Sequence, residues 1–309
     1  MAPSSPAVSD VTLVDVPVTA ESAVTPAVPP PPAPGSPPGA SRTIGARLRR
    51  IGPPAALALV VLALWTFASD HLLHADKRFL LPSPLDVLRI GLLDGRNRAE
   101  VLHGVWSTGK VALVGIGVSM VLGVALAVAM SQARWIEDSV YPYAVVLQTI
   151  PILAVVPLVG YWFGFEFRSR VLVCVMIGIF PIITNTLFGL KSVDPSLHDL
   201  FTLHHAGRLT RLRKLQLPAA LPAMFEGFRI SAGLSVIGSI VADFFFRQGD
   251  PGVGRLIDVY RQRLATEQLM TAVLLSSLLG LVVFWTFGWV ASRALRSRRP
   301  RGSAVKTSP

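Results

Sequence analysis

Beyond the Pro-rich first 41 residues, five stretches of this 309-residue chain run for nineteen residues or more without a charged side chain: 51–69, 111–133, 139–165, 171–190 and 268–292. A helix needs about twenty apolar residues to cross ~30 Å of hydrocarbon. All five runs are long enough to do so. With 51% hydrophobic and only 15% charged residues, the chain is excluded from the ordinary soluble classes. The expected fold is therefore all-α and polytopic in a membrane.

A sixth segment, 221–246, is interrupted by Glu226, Arg229 and Asp243, so that only 230–242 is uncharged. Charge bias decides whether it spans. With six spans and the amino terminus inside, sixteen Lys and Arg lie on the cytoplasmic side and eleven outside, where acids nearly balance them. Dropping this span would place the basic cluster at 293–301 outside, against the positive-inside bias. Six transmembrane helices with both termini cytoplasmic are expected.

Around this membrane domain, taken as 42–300, lie two cytoplasmic tails, 1–41 and 301–309. The first holds eleven of the 25 prolines, three acids and no base. That composition predicts disorder, and without a basic start and apolar core it is not expected to be cleaved as a signal. The net charge of +11 comes from bases at the ends of apolar runs, such as Arg42, Arg47, Arg49 and Arg50. Anionic lipid is the partner this suits, not nucleic acid. Segment 70–108 mixes charges with Leu85, Val87, Leu88, Ile90, Leu92 and Leu93, which predicts an interfacial helix outside the membrane. Gln248-Gly249-Asp250-Pro251-Gly252-Val253-Gly254 reads as a turn between two helices.

Between the fourth and fifth spans, 193–222 is basic and bounded by prolines. Asp194 is placed to cap a helix that begins at Pro195. Leu197, Leu200, Phe201 and His204 fall at i, i+3, i+4 and i+7, giving one largely apolar face. Ala206-Gly207 predicts a break. A second short helix is expected up to Pro218, with Leu209, Leu212 and Leu215 among Arg208, Arg211, Arg213 and Lys214. Two small helices of this kind suit docking rather than spanning.

This loop resembles the cytoplasmic signature loop of binding-protein-dependent ABC importer permeases, which spaces an acid, two alanines, a glycine and a closing Leu-Pro over about twenty residues. Leu217-Pro218-Ala219-Ala220-Leu221-Pro222 matches the close. Counting back places Asp199 at the acid, Leu200 and Phe201 at the alanines and His205 at the glycine. The last three depart from the pattern, with Gly207, two residues later, the candidate to replace the glycine. The resemblance runs from about residue 80 to 293, with the family core at 102–292, and includes Gln148-Thr149-Ile150-Pro151 and Phe180-Pro181-Ile182-Ile183-Thr184-Asn185-Thr186. It looks like the sulfonate, nitrate and taurine branch. The resemblance implies a type I permease fold, a homodimer in the membrane, a cytoplasmic ABC ATPase dimer and an extracytoplasmic solute-binding protein. Solutes of relatives include sulfonates, nitrate, taurine, pyrimidine vitamin precursors and flavins. An ion-gradient-driven secondary transporter is the alternative, and an integral membrane enzyme is a third reading that lacks paired carboxylates, a His-acid pair or a metal cluster in the spans.

Gly104-Val105-Trp106-Ser107-Thr108-Gly109-Lys110 has the spacing of a phosphate-binding loop, but Val111 stands where Mg²⁺ needs Ser or Thr. No cofactor is expected in this chain, ATP and Mg²⁺ being left to the partner ATPase. Gly115, Ser119, Gly123, Ala127 and Ser131 make a small-residue face suited to helix packing. Gly227, Ser231, Ser235, Ser239 and Asp243 make a polar stripe on the fifth span, read either as a packing seam or, with Asn185, as a candidate translocation path. Pro151, Pro157 and Pro181 interrupt spans and free carbonyls that Thr184, Asn185 and Thr186 are near enough to satisfy. His198, His204 and His205 are assigned to a solvated docking face rather than to a metal. Cys174, the only cysteine, reads as a small buried hydrophobe.

Overall fold

The computed structural model describes residues 42–72, 79–246 and 248–296. The Pro-rich tail 1–41, most of the tail bases and Arg247 therefore lie outside the described residues. The chain divides after Leu57, and the described part of the first unit, 42–57, is the amino-terminal portion of helix α1, Arg42–Phe67. Every other element belongs to the second unit. These are α2 (Pro84–Leu88), α3 (Gly95–Gln132), α4 (Arg134–Thr149), α5 (Ile152–Phe163) and α6 (Phe167–Lys191). They are followed by α7 (Pro195–Leu203), α8 (Arg208–Arg211), α9 (Leu217–Phe245), α10 (Val253–Gln262) and α11 (Thr266–Arg296). Among the described residues all regular structure is helical.

Five helices, ending in α1, α3, α6, α9 and α11, are long and apolar enough to cross a membrane unbroken. The predicted third span is different. It is a bent pair, α4 and α5, whose axes turn by 103° at Ile150-Pro151. Proline has no N–H and drives the residue before it out of the helical region, and Ile150 is accordingly extended, with ψ 127°. The pair still connects the two ends of the bundle. Glu137 of α4 pairs with Lys191 at the carboxyl end of α6, whereas Phe165, just after α5, stacks edge-on against Phe246 beyond α9. The fifth span, marginal by hydropathy, is one continuous helical run from Arg208 to Phe245.

Two helical boundaries differ from expectation. α3 has 38 residues, about 57 Å at helical rise, so its first four turns stand beyond a ~30 Å core. Asp94 caps it, accepting from the N–H groups of Arg96 and Asn97. The separate interfacial helix expected over 70–108 is thus reduced to α2 and a π-helical turn, Arg89–Leu93, while 95–108 continues the span. The extension is held by packing, because Val101 is buried with Val253, Leu256, Tyr260 and Ala272 of α10 and α11. Second, no helix ends at Pro218. A π-helical turn, Leu212–Gln216, carries α8 directly into α9, and Pro218 sits in the first turn of α9, where it causes no break.

The core is built by α6 packed between α3 and α9. The approach is close because the facing positions are small. A Cβ added to Gly115 or Gly123 of α3 would fall 2.4 Å from Cys174 or 2.8 Å from Ile182 of α6, and one on Gly189 would fall 2.9 Å from Ala220 of α9. Without a hydrophobic difference between lipid and protein, such backbone proximity is what gives membrane helices their dispersion contact. The small-residue face of α3 is therefore a packing face, and Cys174 is wholly buried within it.

Candidate functional site

The polar stripe of α9 faces α6. Ser231, Ser235, Ser239 and Asp243 are all fully buried. Ser231 donates to the carbonyl of Gly178 at 2.6 Å, and Ser239 donates to its own helix at Val236. A Cβ on Gly178 would come within 2.9 Å of the Ser235 oxygen, and one on Gly227 within 2.9 Å of the Pro181 carbonyl. In this structure the stripe is buried against α6, as a packing seam would be. Asn185 also has a local duty. It donates to the carbonyl of Pro181 at 2.8 Å, and Thr184 donates there and to Phe180.

At the end of the seam lies a buried ionic cluster whose partners the sequence did not reveal. Arg170 of α6 and Asp243 of α9 form an ion pair at 3.1 Å, with side chains 3% and 0% exposed. Thr108 of α3 donates to the other carboxylate oxygen at 2.5 Å and accepts from the N–H of Val253 at 2.8 Å. The Arg170 Nη1 of that ion pair also donates to the Asp250 carbonyl at 2.9 Å and Nη2 donates to the Gln248 carbonyl at 2.7 Å, while Nε is enclosed without an acceptor. Charge, hydroxyl and main chain thus fasten α3, α6, α9 and the loop before α10 together. The glycines of that loop have a steric reason. A Cβ on Gly252 would lie 1.9 Å from an Asp243 oxygen, and Gly249 has φ +81°. The phosphate-loop spacing at 104–110 is absorbed as well, being wound inside α3 where its amides make helical bonds.

The opposite end carries the loop 193–222. Asp194 caps α7, its Oδ1 accepting from the N–H and the hydroxyl of Ser196, and these bonds hold its carboxyl below the usual range. α7 ends in a Schellman motif, with the N–H of His205 donating to the Thr202 carbonyl and that of Ala206 to the Phe201 carbonyl, both at 2.9 Å. The left-handed residue of that motif is His205, φ +50°. Gly207 is an ordinary extended residue, φ −65° and ψ 161°, with open space where a Cβ would be. The left-handed position is thus taken by His205, where the resemblance places the glycine, and not by Gly207. No side chain of α7 is buried, and Leu197, Leu200, Leu203 and Leu209 are between 43% and 77% exposed. Asp199 lies on α7 beside this surface, Phe201 is half-buried, and Leu217 and Pro218 begin α9.

Residues 119–296 match the family described as the binding-protein-dependent transport system inner membrane component. The chain belongs to that family. It is 29% identical, over 75% of its length and 90% of the other's, to the formylaminopyrimidine transport permease protein ThiX of Halalkalibacterium halodurans. To the putative aliphatic sulfonates transport permease protein SsuC of Bacillus subtilis it is 26% identical over 72% of this chain and 79% of that one. The nitrate import permease protein NrtB of Synechocystis is 28% identical over 74% and 84%. Among solved structures, a chain of the MetNI methionine ABC transporter superposes with a TM-score of 0.54 at 18% identity, covering 66% of this chain and 98% of the other. This last likeness concerns the fold. The protein is an ABC importer permease of the branch that includes sulfonate- and nitrate-type members, and its fold is that of ABC transporter permeases.

Two grooves flank the outward face of α9 in this permease. One, of about 700 Å³ and almost wholly apolar, lies between α9, α10 and α11. The other, about 310 Å³, opens at the α4–α5 bend and is lined by Leu147, Gln148, Ile150, Phe180, Leu234 and Ile237 among others. Among the described residues, Gln148 carries the only polar side chain on that second wall. Arg229 pairs loosely with Glu226 at 3.9 Å and lays its guanidinium 4.1 Å over the ring of Phe284 in α11.

Proposed function

We propose that this permease is the translocating subunit of an ATP-driven importer and that the 193–222 loop couples it to cytoplasmic ATPase subunits. The observation that carries the reading is the α7–α8 pair, a capped helix and a short second one whose leucines are all exposed at one end of the bundle. Such a surface needs a partner. The Lys191 end is then cytoplasmic, as are both termini, and the Arg170 end faces an extracytoplasmic solute-binding protein in the plasma membrane of a bacterium. Two copies of the permease face each other across the grooves beside Ile237, and the solute passes Gln148 at the α4–α5 bend instead of the serine stripe. The membrane domain occupies 42–300, flanked by tails 1–41 and 301–309. Names of relatives support a small solute of the sulfonate, nitrate or vitamin-precursor class.

An ion-gradient mechanism would require a carboxylate in the spans that is free to exchange protons or bind cations. Asp243 is instead committed to Arg170 and Thr108. Reconstitution with the ATPase and the binding protein discriminates the two. Uptake into liposomes is expected with internal ATP and no ion gradient, and uptake driven by a proton or sodium gradient without ATP would overturn the proposal.

A further inference from the structure

Beneath the docking surface is a cleft of about 200 Å³ that the coupling reading does not use. It is lined by Ser131 and Gln132 at the end of α3, His198 of α7, Arg208 and Arg211 of α8, and Gln216 of the π-helical turn. Two guanidiniums and an imidazole meet there, and no carboxylate lines the wall. Among the described residues neither arginine has an acid within salt-bridge distance. Donors are left over. Arg211 gives one terminal nitrogen to Thr202 at 3.1 Å, while its Nε is enclosed without an acceptor. Gln132 donates to Ser131 at 3.1 Å and to the Gln216 oxygen at 3.4 Å, which leaves the Gln216 amide nitrogen to point elsewhere.

Cationic and amide donors that converge on a cleft without an acceptor are incomplete, the enclosed Arg211 Nε most of all, because an unmade buried bond costs more than a made one returns. A hydrated tetrahedral oxyanion supplies acceptors in several directions at once, and the cleft has room for one with a few waters of about 30 Å³ each. We infer that this cleft binds a phosphate-class oxyanion, which ties α7 and α8 to the end of α3. The ion comes either free from the cytoplasm or as the headgroup of an anionic lipid. Any effect on transport rests on the coupling role proposed above. Binding itself does not.

The test uses the full chain in nanodiscs of neutral phosphatidylcholine, with inorganic phosphate titrated against chloride at equal ionic strength and pH. Phosphate should saturate a single site and raise the unfolding temperature, and the Arg208→Gln, Arg211→Gln double variant should bind at least tenfold more weakly. Arg208→Gln alone, at an exposed side chain that folding does not need, should still weaken binding severalfold, so a misfolded double variant does not end the test. Adding phosphatidylglycerol to the discs distinguishes the sources. A tenfold loss of apparent phosphate affinity, absent from the arginine variants, identifies the lipid headgroup, and an unchanged affinity identifies the free ion. Equal titrations for wild type and Arg208→Gln, or no phosphate effect beyond that of chloride, would overturn the site. ATP hydrolysis measured on the same samples reports separately on coupling.

Discussion

The two ends of the bundle solve opposite problems with similar residues. At the Arg170 end, one arginine, one aspartate and one threonine are buried and engage each other and the main chain of the loop leading into α10. At the Lys191 end, arginines, histidines and leucines are displayed around α7 and α8 with few internal partners. Buried charge is tolerated only when its partners come from the same fold. Displayed charge and apolar surface await partners from elsewhere. The contrast separates a structural clamp from the proposed docking surface within one chain.

Breaking the clamp should have the largest effect. Arg170→Ala strands the Asp243 carboxylate, and a buried pair broken on one side loses about 3–5 kcal/mol. Membrane yield and unfolding temperature should both fall, and a variant as stable as wild type would show that the pair is not buried in the working protein. Thr108→Val removes a donor to Asp243 and an acceptor for Val253, and should cost about 1–3 kcal/mol by the same measurement. His205→Gly relieves the left-handed strain at the end of α7 and should stabilise the loop by roughly 0.5 to 1 kcal/mol. Hydrogen exchange at the amides of His205 and Ala206 would register this, with slower exchange expected. Ser235→Ala should shift stability and uptake least, within about 0.5 kcal/mol, because the hydroxyl is buried without a bond. A changed solute preference in that variant would return the stripe to the translocation path.

Length, hydropathy and charge bias were sufficient for the all-α bundle, since a run of uncharged residues has few alternatives in lipid. They could not show the 103° bend, although Ile150-Pro151 carried the physical signal for it in proline's missing donor. The stripe ending in Asp243 was legible as a period of four. Its meaning was not, because Arg170 is 73 positions earlier and Thr108 135 positions earlier, and no local pattern brings them together. The loop shows the reverse difficulty. Its cap, its first helix and its break could be read from Asp194-Pro195 and Ala206-Gly207, yet which residue of the break turns left-handed could not. Hydrogen bonds decide that the chain turns left-handed at His205.

The central claim is that the α7–α8 surface transmits ATP hydrolysis to the spans, and it is most directly tested with Leu200→Asp, Leu203→Asp. Both side chains are exposed, at 47% and 77%, so the bundle itself should fold with an unchanged unfolding temperature. In liposomes containing the partner ATPase and binding protein, solute-stimulated ATP hydrolysis should drop at least tenfold and uptake should stop. Hydrolysis and uptake at wild-type rates in that variant would contradict the account.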